Sequence, residues 1–400
     1  MTLGESPRAE TRGGHDSASR RIYLFTGVFS SVLYTVLLVA PVIALPLITK
    51  YGLGPAQVGL LFSCELGAFS LTTVPAYFWL TRVPLRLAVT VCTVLVIAGN
   101  VASGFIPDFG ALLVVRVVTS LAAGSITVVL LALGPRSANP GRAFGVFVVC
   151  QLAMGALILA VFPAIYANAD VSAIYWTLAG LSVACLFFIP LLRGFDLSVD
   201  AGQVRRLDRS QVLPFAAGLV SIVLFYVGLS GIWSFMGQVS IGAGNSPGAT
   251  SIVLSIATAA GIASALLATV LGENPRRRAF LLGGFVVMAG AVLVLLGGPA
   301  LVRFAVAAIL FKFGWTFVLP YLLSAMSALG GGPQVMNTAN LMIGGGFALG
   351  PIVAGVLMQA SGGFTSMIVV SAVSLVVALL CAMLLTRHPQ LRPAGEAPRG

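Results

Sequence analysis

Charge is what this 400-residue chain has least of. Asp, Glu, Lys and Arg together make up 8% of it, against about 25% in ordinary soluble domains. A soluble fold of this length could not cover its surface with so few charged groups. A soluble enzyme, a nucleic-acid-binding domain and a secreted disulfide scaffold are thereby excluded. Histidine is nearly absent too: His15 and His388 lie in the polar end segments, so no histidine relay can run through the apolar blocks. The five cysteines, at positions 64, 92, 150, 185 and 381, sit in apolar blocks without C-x-x-C spacing, which argues against a metal site or redox pair. Lysine is limited to Lys50 and Lys312. Among the acidic residues, only Glu65 lies deep within an apolar run.

What the chain has in abundance is apolar sequence. Hydrophobic residues supply 58% of it, in blocks of about twenty, the length at which a helix crosses the hydrocarbon core of a bilayer. Twelve spanning helices are expected, at 22–45, 56–80, 87–105, 110–133, 143–166, 173–192, 212–239, 248–271, 279–298, 302–326, 336–359 and 364–386. Pro and Gly punctuate the gaps, as at Gly54-Pro55, Pro107-Asp108, Gly134-Pro135 and Gly332-Pro333. Continuous runs exclude a β-barrel, whose strands alternate over about ten residues. Residues 1–21 are polar, and the run after them is too long for the core of a signal peptide, so it reads as a retained first span. With the N-terminus inside, all of the 22 basic residues except Lys50, Arg303, Arg116 and Lys312 fall in inner segments. The net charge of +11 therefore sets orientation, with both termini cytoplasmic, instead of recruiting nucleic acid. A multi-pass protein of the cell (inner) membrane is the expected setting.

The longest polar interruption divides the chain. An end segment at 1–21 precedes a six-helix half at 22–192, a cytoplasmic linker at 193–211, a second half at 212–386 and a cytoplasmic tail at 387–400. Six helices plus six, around a charged central loop, is the plan of a transporter whose site lies between two related halves. The loop from Tyr77 to Arg86 keeps Arg82 and Arg86 of a Gly-x-x-x-Asp-Arg-x-Gly-Arg-Arg/Lys pattern, with Thr81 where the acid belongs. The equivalent loop of the second half holds Glu273 and the cluster Arg276 to Arg278. On these features the chain resembles the major facilitator superfamily over essentially its whole length. The resemblance implies an all-α fold of twelve transmembrane helices in two pseudo-symmetric halves, working as a secondary transporter and not as an enzyme. It further implies a cavity lined by helices one, four, seven and ten, and a cytoplasmic latch, here Arg82, Arg86, Glu273 and Arg277. The glycine signature of that family's drug/proton antiporters has a near match at Gly346, Gly350, Pro351, Ala354 and Gly355, but in helix eleven instead of helix five. Close helix packing accounts for those small residues.

Three charges remain at membrane depth, where insertion of each costs roughly 2.5–3.5 kcal/mol. Glu65 lies about nine residues into helix two and Arg116 at a similar depth in helix four, so the two can meet. Two readings stand open: Glu65 carries a coupling proton, or Glu65 and Arg116 only neutralise each other. Lys312, near the middle of helix ten, has no evident acidic partner and is expected to face the cavity. With Arg116 it would favour an anionic substrate group. Tyr34, Tyr226, Trp233 and Trp315 are expected to clamp the substrate's body, while Trp79, Trp176 and Arg303 suit the membrane interface. Gly228 and Gly231 in helix seven and Pro320 in helix ten are expected to weaken those helices. The amides of Asn100, Gln151, Asn337 and Asn340 could serve packing alone.

No P-loop glycine pattern is present, so ATP-driven transport by this chain is not indicated, and no cofactor is called for. The expected partners are a small-molecule substrate, protons and membrane lipid, with no nucleic acid. The leading expectation is a proton-coupled carrier of a small organic anion; the alternative is an exporter of lipophilic or drug-like compounds.

Overall fold

The computed structural model describes residues 8–80, 82–165, 169–195, 209–272, 276–329 and 333–386. Glu273, expected in the latch, lies outside them. The first half comprises α1 (Arg8–Leu33), α2 (Thr35–Tyr51), α3 (Pro55–Leu71), α4 (Thr73–Trp79), α5 (Leu85–Phe105), α6 (Phe109–Leu133), α7 (Pro140–Ile165) and α8 (Val171–Leu186). The second comprises α9 (Arg209–Gly242), α10 (Pro247–Leu271), α11 (Arg277–Leu293), α12 (Leu301–Ser327), α13 (Pro333–Ser361) and α14 (Thr365–Leu385). Among the described residues ten helical stretches are long and apolar enough to cross a membrane. The expected sixth and ninth spans are the shorter helices α8 and α11, of 16 and 17 residues. Large apolar side chains such as Phe105, Phe187 and Val302 point outward, as lipid-facing groups must in a bundle whose backbone bonds are satisfied internally. The chain is a multi-pass membrane protein of all-α fold.

The expected boundaries hold within three residues except at the start, where α1 already begins at Arg8 within the segment read as a polar tail, and at the ends of spans one, six and nine, where the α-helix stops at Tyr51, Leu186 and Leu293 instead of 45, 192 and 298. The expected weak points correct differently. α9 runs unbroken past Gly228 and Gly231, and α12 past Pro320. The interruptions fall in spans one and two. Tyr34 separates α1 from α2 with φ −87° and ψ −1°, in the sparsely used bridge region. Thr72 separates α3 from α4. Around both breaks, short hydroxyl side chains take up backbone carbonyls three residues back: Ser31 to Val28 (2.7 Å), Thr35 to Val32 (2.6 Å) and Thr72 to Phe69 (2.7 Å). Such bonds compete with the helical ladder and bend it. At the second break Pro75 also lacks the N–H that would bond Leu71.

Across the two halves, α3 packs on α13, α2 on α9 and α7 on α10. These contacts close the end of the bundle away from the arginine-rich loops, hereafter the far end as opposed to the basic end. A Cβ on Gly59 would overlap the carbonyl of Pro351, and one on Gly355 the carbonyl of Pro55, so α3 and α13 touch backbone to backbone. Ser63 Oγ accepts the Ile352 N–H at 2.8 Å and Gln359 Oε1 that of Ala56 at 3.3 Å. Pro351 lacks the ladder N–H at its own position, and Ser63 engages the next N–H, that of Ile352, across the interface. The near-antiporter glycines serve this packing: Gly346 and Gly350 abut Val223 and Val227 carbonyls of α9.

Gly59→Val is expected to wedge the halves apart at the far end, costing about 1–3 kcal/mol as overpacking does. Thermal unfolding in detergent should fall measurably below that of Gly145→Val, where an added Cβ meets no neighbour. Equal transitions for the two variants would contradict the backbone contact.

Candidate functional site

The site is built on three helices that small residues bring together. Asp108 caps α6, its Oδ2 accepting the Ala111 N–H at 2.8 Å, and this fixes the start of the helix that carries Arg116. Gly99 admits Thr119 so closely that a Cβ there would overlap the Thr119 hydroxyl, and the approach of α5 to α6 puts Asn100 beside Arg116. Gly124 likewise lets α6 lie against the Phe69 carbonyl at the end of α3. Glu65 thereby reaches Arg116.

Arg116 is fully buried and Glu65 is 3% exposed. The guanidinium Nε donates to Glu65 Oε1, and Nη1 donates to Asn100 Oδ1 at 2.7 Å. Its Cζ stands 4.9 Å from the centre of the Tyr175 ring. The third nitrogen, Nη2, is buried with no hydrogen-bond partner among the described residues. A buried donor without an acceptor costs about 1–3 kcal/mol, more when charged. The constellation is therefore neutral overall and short of one acceptor.

Glu65, Arg116 and Asn100 line a cavity of about 110 Å³, together with Tyr34, Phe69 and Phe347. A second cavity of about 300 Å³ shares Tyr34, Phe69 and Ile343 with it and extends past Thr73 and Asn340 to Leu80 and Ala132. The space thus runs from the middle of the bundle toward the basic end, and both helix breaks border it. Tyr34 lies edge-on to Phe69 and Phe147, at 5.0 and 5.4 Å between ring centres.

The remaining expected residues distribute unevenly. Lys312 is fully buried and lines neither described cavity. Its Nζ lies 3.9 Å from the Trp233 ring centre and 3.6 Å from that of Trp315, with no hydrogen-bond partner among the described residues. Tyr226 sits behind Phe347, ring centres 4.5 Å apart. Arg82 and Arg86 are exposed at the basic end, and Arg277 opens α11 there. The described cavity takes its walls from spans one to four, six and eleven, not from one, four, seven and ten. Sequence reasoning missed Tyr175 and Phe347 altogether. Phe347 follows Gly344, Gly345 and Gly346, and a lone large ring after three glycines is the signal that could have drawn attention to it. At the far end, desolvation raises the Asp170 carboxyl. Hydrogen bonds from Lys50 and Ser172, the Lys50 charge and the Val171 N–H outweigh this and hold it below the ordinary range.

Removing one member of a buried pair strands the other, at about 3–5 kcal/mol, whereas replacing both with apolar groups is often neutral. Arg116→Leu is therefore expected to lower stability in detergent far more than the double variant Glu65→Leu/Arg116→Leu. Denaturant titration of both, beside the unaltered chain, measures the difference. A double variant no better than the single one would contradict mutual neutralisation.

Three comparisons bear on identity. The chain is similar in structure to the nucleoside transporter NupG, with 14% identity, a TM-score of 0.70, and 92% of this chain and 99% of that one covered. It is also similar to a bacterial homolog of the human lysosomal transporter Spinster in an inward-facing, unoccupied conformation, with 16% identity, a TM-score of 0.67 and coverage of 96% and 98%. A D-xylose-proton symporter matches with 13% identity, a TM-score of 0.70 and coverage of 94% and 98%. No curated protein matches the sequence significantly. At these identities the solved structures speak for the fold alone. The family model of the Major Facilitator Superfamily matches residues 23–333, well over half of the chain. Ten helical stretches able to span a membrane among the described residues, a buried cavity with a charged pair in its wall and that family match lead to one conclusion: this chain belongs to the Major Facilitator Superfamily of membrane transporters.

Proposed function

We propose that this transporter carries a small organic anion together with a proton. It would do so by alternating access across a cytoplasmic membrane, with both termini on the cytoplasmic side. The observation that carries the reading is the incomplete partnering of Arg116: Glu65 on one nitrogen, Asn100 on the second and, among the described residues, nothing on the third. Protonating Glu65 would leave Arg116 a buried cation without its counter-charge, an expensive state. A substrate carboxylate entering the cavity would supply the missing charge and the missing acceptor. Proton and anion would then favour each other's binding, and by linkage the effect is equal in both directions. That coupling is symport, and the loaded carrier gains one positive and one negative charge.

Support for the orientation comes from the arginine distribution, and support for an inward-facing state from the seal at the far end with cavities extending to the basic end. In the alternating step the far-end contacts would part and the basic end would close, with Arg82, Arg86, Arg277 and Glu273 as the latch. Tyr34 would clamp the substrate from the break in span one. The many apolar groups in the cavity lining, Leu33, Leu66 and Ile343 among them, favour a substrate with an apolar body. They also support the second reading, an exporter of lipophilic compounds in which the Glu65–Arg116 pair is purely structural.

Lumenal pH in proteoliposomes separates the two. With the unaltered chain, an inward carboxylate gradient is expected to move protons into the lumen. Glu65→Gln should reduce that movement at least tenfold. A response to lipophilic cations alone, or one that survives Glu65→Gln, would favour the exporter. Because one proton accompanies one anion, an imposed potassium diffusion potential should change the initial carboxylate rate less than twofold. A strong response to voltage would overturn the one-to-one stoichiometry.

A further inference from the structure

Each half carries one buried basic side chain in its fourth span, Arg116 in α6 and Lys312 in α12. Only the first is answered by an acid. Arg116 pairs with Glu65, whereas Lys312 Nζ is buried with no hydrogen-bond partner among the described residues. An ammonium taken from water is compensated only in part by ring faces. A transporter that keeps such a group has left a place for an acceptor that arrives from elsewhere.

The surroundings define how it could arrive. On one side α10 closes the site: a Cβ on Gly261 would lie 3.2 Å from Lys312 Cγ, and Thr316 Oγ1 bonds the Gly261 carbonyl at 3.0 Å. Gly261 gives room for the lysine stem and no more. On the other side Trp233 and Trp315 cover the ammonium, their ring centres 6.0 Å apart and their planes at 74°. Trp315 in turn stands 6.4 Å from Phe347, and half-buried Phe347 is a wall of the cavity that holds Glu65 and Arg116. Phe347 makes edge-type contact with Tyr226 as well. Phe347 thus belongs both to the wall of the open cavity and to the ring cluster that cages an unanswered lysine. Its neighbours Gly344, Gly345 and Gly346 carry no side chains to hold it in place.

We propose that Phe347 is a door to a concealed subsite, and that Lys312 receives there the carboxylate of a planar aromatic acid. The acid's ring takes over the contacts that Phe347 makes, edge-on with Tyr226 and tilted against Trp315, and its carboxylate meets the ammonium between the two tryptophans. This inference rests on the anion reading of the cavity and deepens it by naming an aromatic carboxylate. It also adds a selecting station to the anion's path: Lys312 holds the carboxylate in the concealed subsite, apart from the place beside Arg116 and Glu65 where anion and proton couple.

Lysine chemistry provides a test that needs no transport. In a Lys50→Arg background Lys312 is the one lysine left in the chain. Reductive methylation with formaldehyde and a borane, followed by peptide mass spectrometry, reports how far reagent reaches it. Phe347→Ala is expected to raise labelling of Lys312 at least tenfold, and Phe347→Leu, which keeps most of the side-chain volume, should raise it to a lesser degree. Benzoate at millimolar concentration should suppress the labelling in both variants, whereas benzamide, its neutral isostere, should not. Labelling unchanged by either substitution would overturn the door. Equal effects of benzoate and benzamide, or no effect of either, would overturn the anion subsite. Since no proton flux is read, failure here is distinguishable from failure of the coupling scheme. Protection by benzoate without carboxylate-driven proton movement would sink the symport reading and leave the subsite standing. Carboxylate-driven proton movement without protection would do the reverse.

Discussion

The organisation of the first half follows from one electrostatic constraint: a guanidinium that cannot reach water must find its hydrogen-bond acceptors within the bundle. Arg116 finds Glu65 on α3 and Asn100 on α5, and it lies over the ring of Tyr175 on α8. Four helices are thereby oriented around one side chain. The small residues nearby, Gly99 and Gly124, let α6 come near enough to α5 and α3 for this to happen. Packing alone would tolerate other rotations of these helices; the charge does not.

The second half obeys a different economy. There the glycines are contact surfaces. Gly228 faces the Ser371 carbonyl on α14 and Gly231 the Gly350 carbonyl on α13, at 3.1 and 3.0 Å from an added Cβ. Ser221 and Ser374 tie α9 and α14 through bonds to the Ala378 and Leu224 carbonyls. Polar side chains are used here as helix-to-helix fasteners, as expected where lipid offers no hydrogen bonds. The result is a continuous 34-residue α9 beside a first half that contains two breaks.

This contrast explains what was legible in the sequence. The spans were, because a bilayer demands some twenty apolar residues whatever their neighbours. The meeting of Glu65 and Arg116 was legible too, since two opposite charges in apolar helices of the same direction and depth have few other solutions. The faces turned inward by α5 and α8 were not. They depend on how closely Gly99 and Gly104 let other helices approach, a tertiary property with no periodicity of its own. Glycine and proline misled about flexibility: an absent side chain bends a helix or receives a neighbour, and in α9 it does the second. The break at Tyr34 involves neither residue. Its local sign is the pair of hydroxyls at Ser31 and Thr35, a pattern equally common in straight helices. Lys312 stood out because no acid is near it in sequence, but its tryptophan cover comes from two helices and only Trp315 is near it in sequence.

The first span is fastened at both ends to its own half. Near the basic end, Arg21 donates to the Leu191 and Arg193 carbonyls, and Ser19 accepts the Ala138 N–H. At the far end, Lys50 pairs with Asp170 at 2.8 Å and Tyr51 donates to the Ile106 carbonyl at 2.8 Å. A rod clamped at both ends cannot relieve bending by fraying, so a change in curvature falls within the span: at Pro41 and Pro46, which lack the N–H of the ladder, and at the one joint where the helix itself breaks. That joint is Tyr34, and its ring hangs into the cavity. The wall of the cavity and the curvature of the span are consequently joined at one residue: straightening the break at Tyr34 turns the ring.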